Sequence, residues 1–486
     1  MNKRSLLDLV SSRAVPRWTW TALAAAALSA CTFAPNYNQP GLSVDNVWPV
    51  TPPNAGNDAS THAHALQWQD FVLDANLRDV IALSLANNRD LRAAAFNIEQ
   101  ARAQYQIRRA DQLPTVGLSA TGLRQPASDG SGAIASVYTA GLALPVWEVD
   151  FFGRLSNLKD AALAQYMATD EARKSVQISL IAAVASTWLS LQVNDELLGL
   201  SQDTLRSRDE SLKLVALRHR YGAASELDLR LAESQAAAAR VVLSQQQRLR
   251  ALDVNALTLL VGATPPPKFL QRDKPAESGT NTTNLFKAIP VGLPSEVLIR
   301  RPDIQQAEWQ LKAANANIGA ARAAYWPRIT LTASGGAVSG DLGNLFKNGT
   351  SAFTLAPQAF LPIFDFGRNE AATDSAHAVK AAAIAQYEKA IQVAFREVSD
   401  ALVALSTLNE QLSAQQAQVI AEIERAKLTE LRFANGIGSS LEVLDAQRSL
   451  LASKQALSQL KLAQWQNQVT LYKTLGGGWT DTIASK

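Results

Sequence analysis

The residues able to do chemistry here are few and fall in small groups. Two segments repeat a Ser-x-x-acid spacing, Ser225 with Asp228 and Ser439 with Glu442. A hydroxyl followed three residues later by a carboxylate can close a capping box over the free amides at a helix start. Each group follows a glycine, Gly222 or Gly436, and is preceded by cations: Arg218 and Arg220 in the first case, Arg432 in the second. Asp445 has no capping duty. It stands one turn beyond Glu442 on the same helical face, and the position 214 residues earlier is Leu231. Of the four histidines (His62, His64, His219, His377), only the first two are neighbours, and no cysteine or carboxylate cluster joins them. That is no metal ligand set. No nucleophile, base and orienting acid come together in the sequence, so neither an enzyme nor a cofactor site is expected.

Cys31, the only cysteine, has a different chemistry. Lys3, Arg4, Arg13 and Arg17 precede a short apolar run, Trp18 to Leu28, which ends in Leu28-Ser29-Ala30-Cys31. A basic start, a short apolar centre and small residues before a cut describe a cleaved export signal. A cysteine just after the cut is the lipidation position of a bacterial lipoprotein, and Thr32 after it favours delivery to the outer membrane. A single cysteine cannot form an internal disulfide, so lipidation explains it best. Residues 1–30 hold four of the 46 basic and one of the 43 acidic residues, so the remainder carries 42 of each. That balance gives no footprint for nucleic acid.

These groups are positioned by a duplicated frame. Gly153 and Gly367, Gly222 and Gly436, and Gly262 and Gly476 are each 214 residues apart; Pro114 and Pro327, and Asp90 and Asp303, are 213 apart. Gly222 and Gly436 each lie 69 residues after a Gly-Arg pair, Gly153-Arg154 and Gly367-Arg368. The segments between are helical in pattern and without Pro or Gly clusters, and each makes a helix of roughly 100 Å at about 1.5 Å per residue. Val184, Leu191, Leu198, Leu205 and Leu212 recur every seven residues, as do Val398, Leu405, Leu412, Val419 and Ala426. That is the seam of a coiled coil. Before each long helix the period changes to two: Val116, Leu118 and Ala120 alternate with Thr115, Gly117, Ser119 and Thr121. Weakly apolar residues alternating with small polar ones fit strands with lipid on one side and water on the other. Tyr138, Trp147, Tyr325 and Trp326 lie near strand ends, where interfacial aromatics belong. No run of eighteen apolar residues follows the signal, so a membrane crossing must use a closed barrel. Four strands cannot close around an interior; three chains would supply twelve.

The expected organisation is therefore a signal (1–30), an N-terminal lipid-anchored tether (31–65), a first repeat (66–262), a linker (263–291), a second repeat (292–478) and a tail (479–486). The first repeat holds a hairpin at 113–147, a long helix at 154–221, a turn at 222–225 and a return helix at 226–261. Their counterparts are 328–364, 368–435, 436–440 and 441–475.

The run Gly292-Leu293-Pro294-Ser295-Glu296-Val297-Leu298-Ile299-Arg300-Arg301-Pro302-Asp303-Ile304 resembles the signature of the TolC-like outer membrane efflux proteins, in their NodT-like and OprM-like lipoprotein branch. Leu361-Pro362-Ile363-Phe364-Asp365-Phe366-Gly367-Arg368 and the segment from Asn435 to Arg448 agree with it, and the likeness extends over about residues 25–478. The resemblance implies a mixed α/β membrane protein: a homotrimer whose twelve-stranded outer-membrane barrel, four strands per chain, continues into a long periplasmic α-helical barrel. It implies a periplasmic adaptor and an inner-membrane pump of the resistance-nodulation-division class as partners. It places the gate at the two glycine turns, with Glu442 and Asp445 at the constriction, where three copies of each would ring a narrow pore and favour cations. The family often uses a tyrosine where Phe433 stands, and a phenyl ring cannot donate that hydrogen bond. Arg432, or Arg218 with Asp228, would then hold the closed state. Gly222, Ser225, Gly436 and Ser439 would meet the adaptor. A type I protein-secretion channel and a non-conducting coiled-coil envelope lipoprotein stand as alternatives.

Overall fold

The computed structural model describes residues 33–41, 44–45, 47–49, 66–126, 132, 134–270, 285–289 and 298–478. The expected signal, Cys31, His62, His64 and the tail lie outside the described residues. The longer helices are α1 (Ala75–Asn87), α2 (Arg89–Ala110), α3 (Arg154–Arg220), α4 (Glu226–Val261), α5 (Pro302–Ala323), α6 (Arg368–Ala434) and α7 (Ser440–Thr474). The strands are β1 (Gly117–Pro126), β2 (Ile134–Val149), β3 (Arg328–Ser339) and β4 (Ser351–Phe360). Contacts divide the chain into two compact units. One comprises Met1–Pro40, Glu99–Ala168 and Glu308–Gln386; the other comprises Gly41–Ile98, Thr169–Ala307 and Tyr387–Lys486.

The first unit contains one antiparallel sheet in the order β1-β2-β3-β4. Its register sorts the side chains. Leu118 pairs with Leu142 and Ala120 with Ala140. Leu142 pairs with Gly335 and Leu144 with Ala333. Gly335 then pairs with Phe353 and Ala333 with Leu355. Because successive side chains alternate faces, these apolar residues share one face across all four strands. Ser119, Thr121, Thr139, Thr332, Ser334 and Thr354 fall on the other, where the Thr121 and Thr139 hydroxyls hydrogen-bond at 2.6 Å. Leu123, Val137 and Val338 break the polar face toward the hairpin end. Leu118 is 88% exposed and Phe353 85%, so the apolar face is uncovered in the single chain.

Two features shape the join between β2 and β3. The register shifts between Leu144 and Trp147, and the carbonyl of Pro145, released by that bulge, accepts from the Thr332 hydroxyl at 2.9 Å. Gly141 and Gly336 face each other so closely that a Cβ on either would lie 2.6 Å from the other's Cα. β4 stops at Phe360, short of the expected Phe364, because Pro362 has no amide to extend a ladder.

The second unit is helical. Its largest core gathers Leu77, Val80 and Ile81 of α1 with Val184, Trp188 and Leu191 of α3, Leu257 and Val261 of α4, and Val469 and Tyr472 of α7. Phe71 stacks between Phe286 and Tyr472, at 4.9 and 4.0 Å. An 18-residue window of α3 reaches a mean hydropathy of 1.5, but 56% of it is buried, so its apolarity serves packing. The seven-residue seam is fully buried at Val184 and Leu191, and buried again at Val398, Leu412, Val419 and Ala426. Three residues after seam positions, α3 carries Asn194, Ser201 and Arg208 rather than apolar residues. Asn194 donates to Asp253 of α4 at 2.6 Å, and Ser201 returns its proton to the Leu197 carbonyl. Burial holds the Asp253 carboxyl above its ordinary range, against the Asn194 bond.

The signature segment has a structural task in this unit. Arg301, with 8% of its side chain exposed, reaches three elements. It donates to both oxygens of Asp303 at 3.0 and 2.6 Å, to Glu397 of α6 at 2.8 Å, and to the carbonyl of Thr474 at the end of α7 at 2.7 Å. Burial pulls its pKa down, but the bonds to Asp303 and Glu397 outweigh that and raise it.

Candidate channel tips and sheet foot

Both glycine turns close the same way. Gly222 and Gly436 take φ of 74° and 72°, a left-handed conformation open to glycine. The Ala223 amide then reaches the Arg218 carbonyl at 2.8 Å, and the Ile437 amide reaches the Arg432 carbonyl at 3.0 Å. These five-residue closures satisfy carbonyls at the ends of α3 and α6.

The starts of the return helices differ. At α4, Ser225 accepts from the Asp228 amide, and the Asp228 carboxylate accepts from both the amide and the hydroxyl of Ser225, at 3.1, 3.1 and 2.7 Å. The Ser225 hydroxyl and amide hold the Asp228 carboxyl below its ordinary 3.8. At α7, Ser439 caps the Glu442 amide at 3.2 Å, and Glu442 makes no return bond among the described residues. Asp228 is thus engaged in the turn, while Glu442 is available.

Asp445 is held between two cations. Arg425 of α6 donates to it at 2.8 Å and Arg448 of α7 at 2.7 Å, and Arg425 also meets Glu422 at 3.2 Å. Asp445 and Glu422 hold the Arg425 guanidinium above its ordinary value. Farther from the turns, Arg208 donates to Gln447 at 3.0 Å and Gln447 donates to Glu430 at 2.9 Å, so one chain of bonds links α3, α7 and α6. Burial lowers the pKa of Arg208. The pairing expected of Arg218 or Arg432 with Asp228 is not formed within the chain among the described residues. Arg448 was legible as the i+3 neighbour of Asp445. Arg425, Arg208 and Glu430 sit on other helices, and no spacing in the sequence announces them.

The other concentration of functional groups lies in the first unit, at the end of the sheet where strands meet helices. Glu148 at the end of β2 accepts two bonds from Arg154 at 2.7 Å, and Arg328 at the start of β3 adds a third at 2.6 Å. These groups help line a cavity of about 620 Å³ with Phe152, Trp326 and Phe364. Trp147 donates its ring N–H to the Gln112 carbonyl at 3.2 Å. The residues just after Cys31 are also held here: Phe33 stacks on Trp326 at 5.5 Å and on Phe152 at 6.5 Å.

A sheet with one apolar and one polar face, feeding very long helices, has known counterparts. The family described as outer membrane efflux protein matches residues 80–263 and 293–477. The toluene efflux pump outer membrane protein TtgC of Pseudomonas putida is 44% identical over 464 residues, covering 94% of this chain and 95% of that protein. A crystal structure of a membrane protein from Pseudomonas aeruginosa superposes with a TM-score of 0.84 at 39% identity, over 94% of this chain and 100% of the other. The open state of the MtrE outer membrane channel of Neisseria gonorrhoeae gives 0.81 at 37% identity, over 92% and 98%. The chain belongs to the outer membrane efflux protein family, and is a transport component of the bacterial outer membrane rather than an enzyme.

Proposed function

We propose that three copies of the chain form a passive export duct for small toxic compounds, closed at its periplasmic tips until partners open it. The observation that carries this is the sheet. Its register puts apolar residues on one face and hydroxyls on the other, and both edge strands, β1 and β4, are exposed along their length. Open strand edges do not persist in lipid. Three sheets joined β4 to β1 make twelve strands, an even number in the range of such barrels. The two matched segments of the family, 80–263 and 293–477, support reading residues 66–262 and 292–478 as tandem repeats, so the wall has six related units. Cys31 is the lipid anchor, and the docking of Phe33 at the foot of the sheet supports this, since that is the membrane-facing end of the helices.

In this reading Glu442 and Asp445 face the constriction, with Arg425 and Arg448 balancing Asp445. Asp228 belongs to the cap, and Arg218 and Arg432 are free to pair across copies. Gly222, Ser225, Gly436 and Ser439 present the turns to a periplasmic adaptor, which links the duct to a proton-driven pump of the resistance-nodulation-division class. The relative named for toluene makes small apolar compounds the first substrates to try. Planar-bilayer recording of the purified full chain tests the duct. Discrete ion-conducting steps are expected; a protein that inserts and never conducts would make it a structural lipoprotein instead.

A further inference from the structure

A tether needs no fixed points, yet the first described residues are fastened. Phe33, Phe152 and Trp326 stack mutually, with the Phe152 and Trp326 centroids 5.4 Å apart and their planes at 21°. Phe152 lies in the joint between β2 and α3, and Trp326 in the joint between α5 and β3. The Pro35 carbonyl accepts from Asn315 of α5 at 2.7 Å, and Asn315 accepts in turn from Lys380 of α6 at 2.8 Å. The Tyr37 hydroxyl donates to Glu308 at 3.2 Å, beneath Lys312, whose ammonium sits 5.3 Å from the Tyr37 ring. Residues 33–37 therefore form a strap along α5, pinned at its first residue to both joints.

We propose that Phe33, Phe152 and Trp326 form a clamp that holds the lipid-bearing end of the chain at the foot of the sheet, so that the acyl chains enter the leaflet beside β2 and β3. This rests on the reading of Cys31 as a lipid anchor. Two residues span at most about 7 Å of backbone, so fixing Phe33 would keep a lipid carried on Cys31 near the foot. The ring stack, rather than tether length, sets where the lipid enters. Because the clamp touches both joints, the anchor also ties the β1–β2 hairpin to the β3–β4 hairpin, where β2 runs into α3 and α5 runs into β3.

The test uses the chain's single cysteine. With Cys31 acylated, Ala34→Cys supplies the only reactive thiol in the full-length channel, and a nitroxide there reports strap motion while intact mass reports acylation. The expected result is an immobilised label that becomes several-fold more mobile with Phe33→Ala or Trp326→Ala, at unchanged acyl mass. Phe33 lies outside every helix and strand, so its variant keeps the test open if Trp326→Ala lowers the yield. A label already mobile in the parent, or equally immobile in Phe33→Ala, overturns the clamp. An unmodified Cys31 overturns the anchor reading itself, and with it this role for the clamp, whatever the label does.

Discussion

Replacing Arg301 by methionine tests the fastening of the signature segment. The change keeps most of the side-chain volume and removes the guanidinium. Two bonds between elements are lost, to Glu397 at 2.8 Å and to the Thr474 carbonyl at 2.7 Å. The pair with Asp303 is local to the start of α5 and half exposed, so it counts for little. A hydrogen bond to a charged group contributes about 1.5–3 kcal/mol. Glu397 keeps 35% of its side chain exposed, so water replaces part of what it loses. A net cost of roughly 3 kcal/mol follows, which is about 100-fold in a local opening equilibrium. The cost falls on the last turn of α7, whose carbonyl loses its partner. Hydrogen exchange on a peptide covering 469–478, followed by mass spectrometry on the detergent-solubilised channel, reads that opening directly. Exchange about 100-fold faster there than in the parent is expected. Protection unchanged to within about threefold, equivalent to less than 1 kcal/mol, would mean that the bonds from Arg301 do not hold the end of α7.

Three further outcomes follow from the same geometry. Gly336→Ala should disrupt the β2–β3 join, since its Cβ would lie 2.6 Å from the Gly141 Cα, whereas Gly335→Ala next door has nothing within 4 Å and should assemble normally; heat-resistant oligomer on gels separates the two. Asp253→Asn should raise the thermal midpoint at neutral pH. Burial raises the Asp253 carboxyl above its unfolded value, so its ionisation weakens the fold as pH rises through the folded pKa, and the gain should vanish in acid. Asp445→Ala leaves Arg448 without the acid it pairs with and Arg425 with Glu422 alone, a loss of one negative charge per chain, so the reversal potential in a salt gradient should move toward anions; no movement would take this cluster out of the pore.

What the sequence reveals and what it hides divide along local and distant interactions. The glycines at 222 and 436 and the serines at 225 and 439 act through neighbours within five residues, so their spacing announces the turns and the caps. The strand alternation around Leu118 and Ala120 is equally local. The Arg301 fastening joins positions 96 and 173 residues apart, and nothing in either partner's surroundings marks it. Arg448, three residues on, is a visible partner for Asp445, but the second cation, Arg425, lies on another helix and has no mark in the sequence. Residues 33–37 read as tether because Pro, Asn and Tyr in a polar stretch have no period, and the rings that hold Phe33 come from joints far along the chain. Arg208, Ser201 and Asn194 occupy positions where a coiled-coil seam predicts apolar residues; Ser201 bonds within its own helix, but the partners of Arg208 and Asn194 become visible only when α3, α4 and α7 are brought together.

In the proposed duct the exposed edges β1 and β4 close on other copies of the same chain, and three copies complete the ring. Cysteines at Ser119 of β1 and Thr354 of β4, in the channel whose Cys31 carries lipid, can be joined by a short bismaleimide in the membrane. A ladder of one, two and three chains on a denaturing gel, ending at three, is expected. Cross-links confined to single chains, or a ladder running past three, would contradict it.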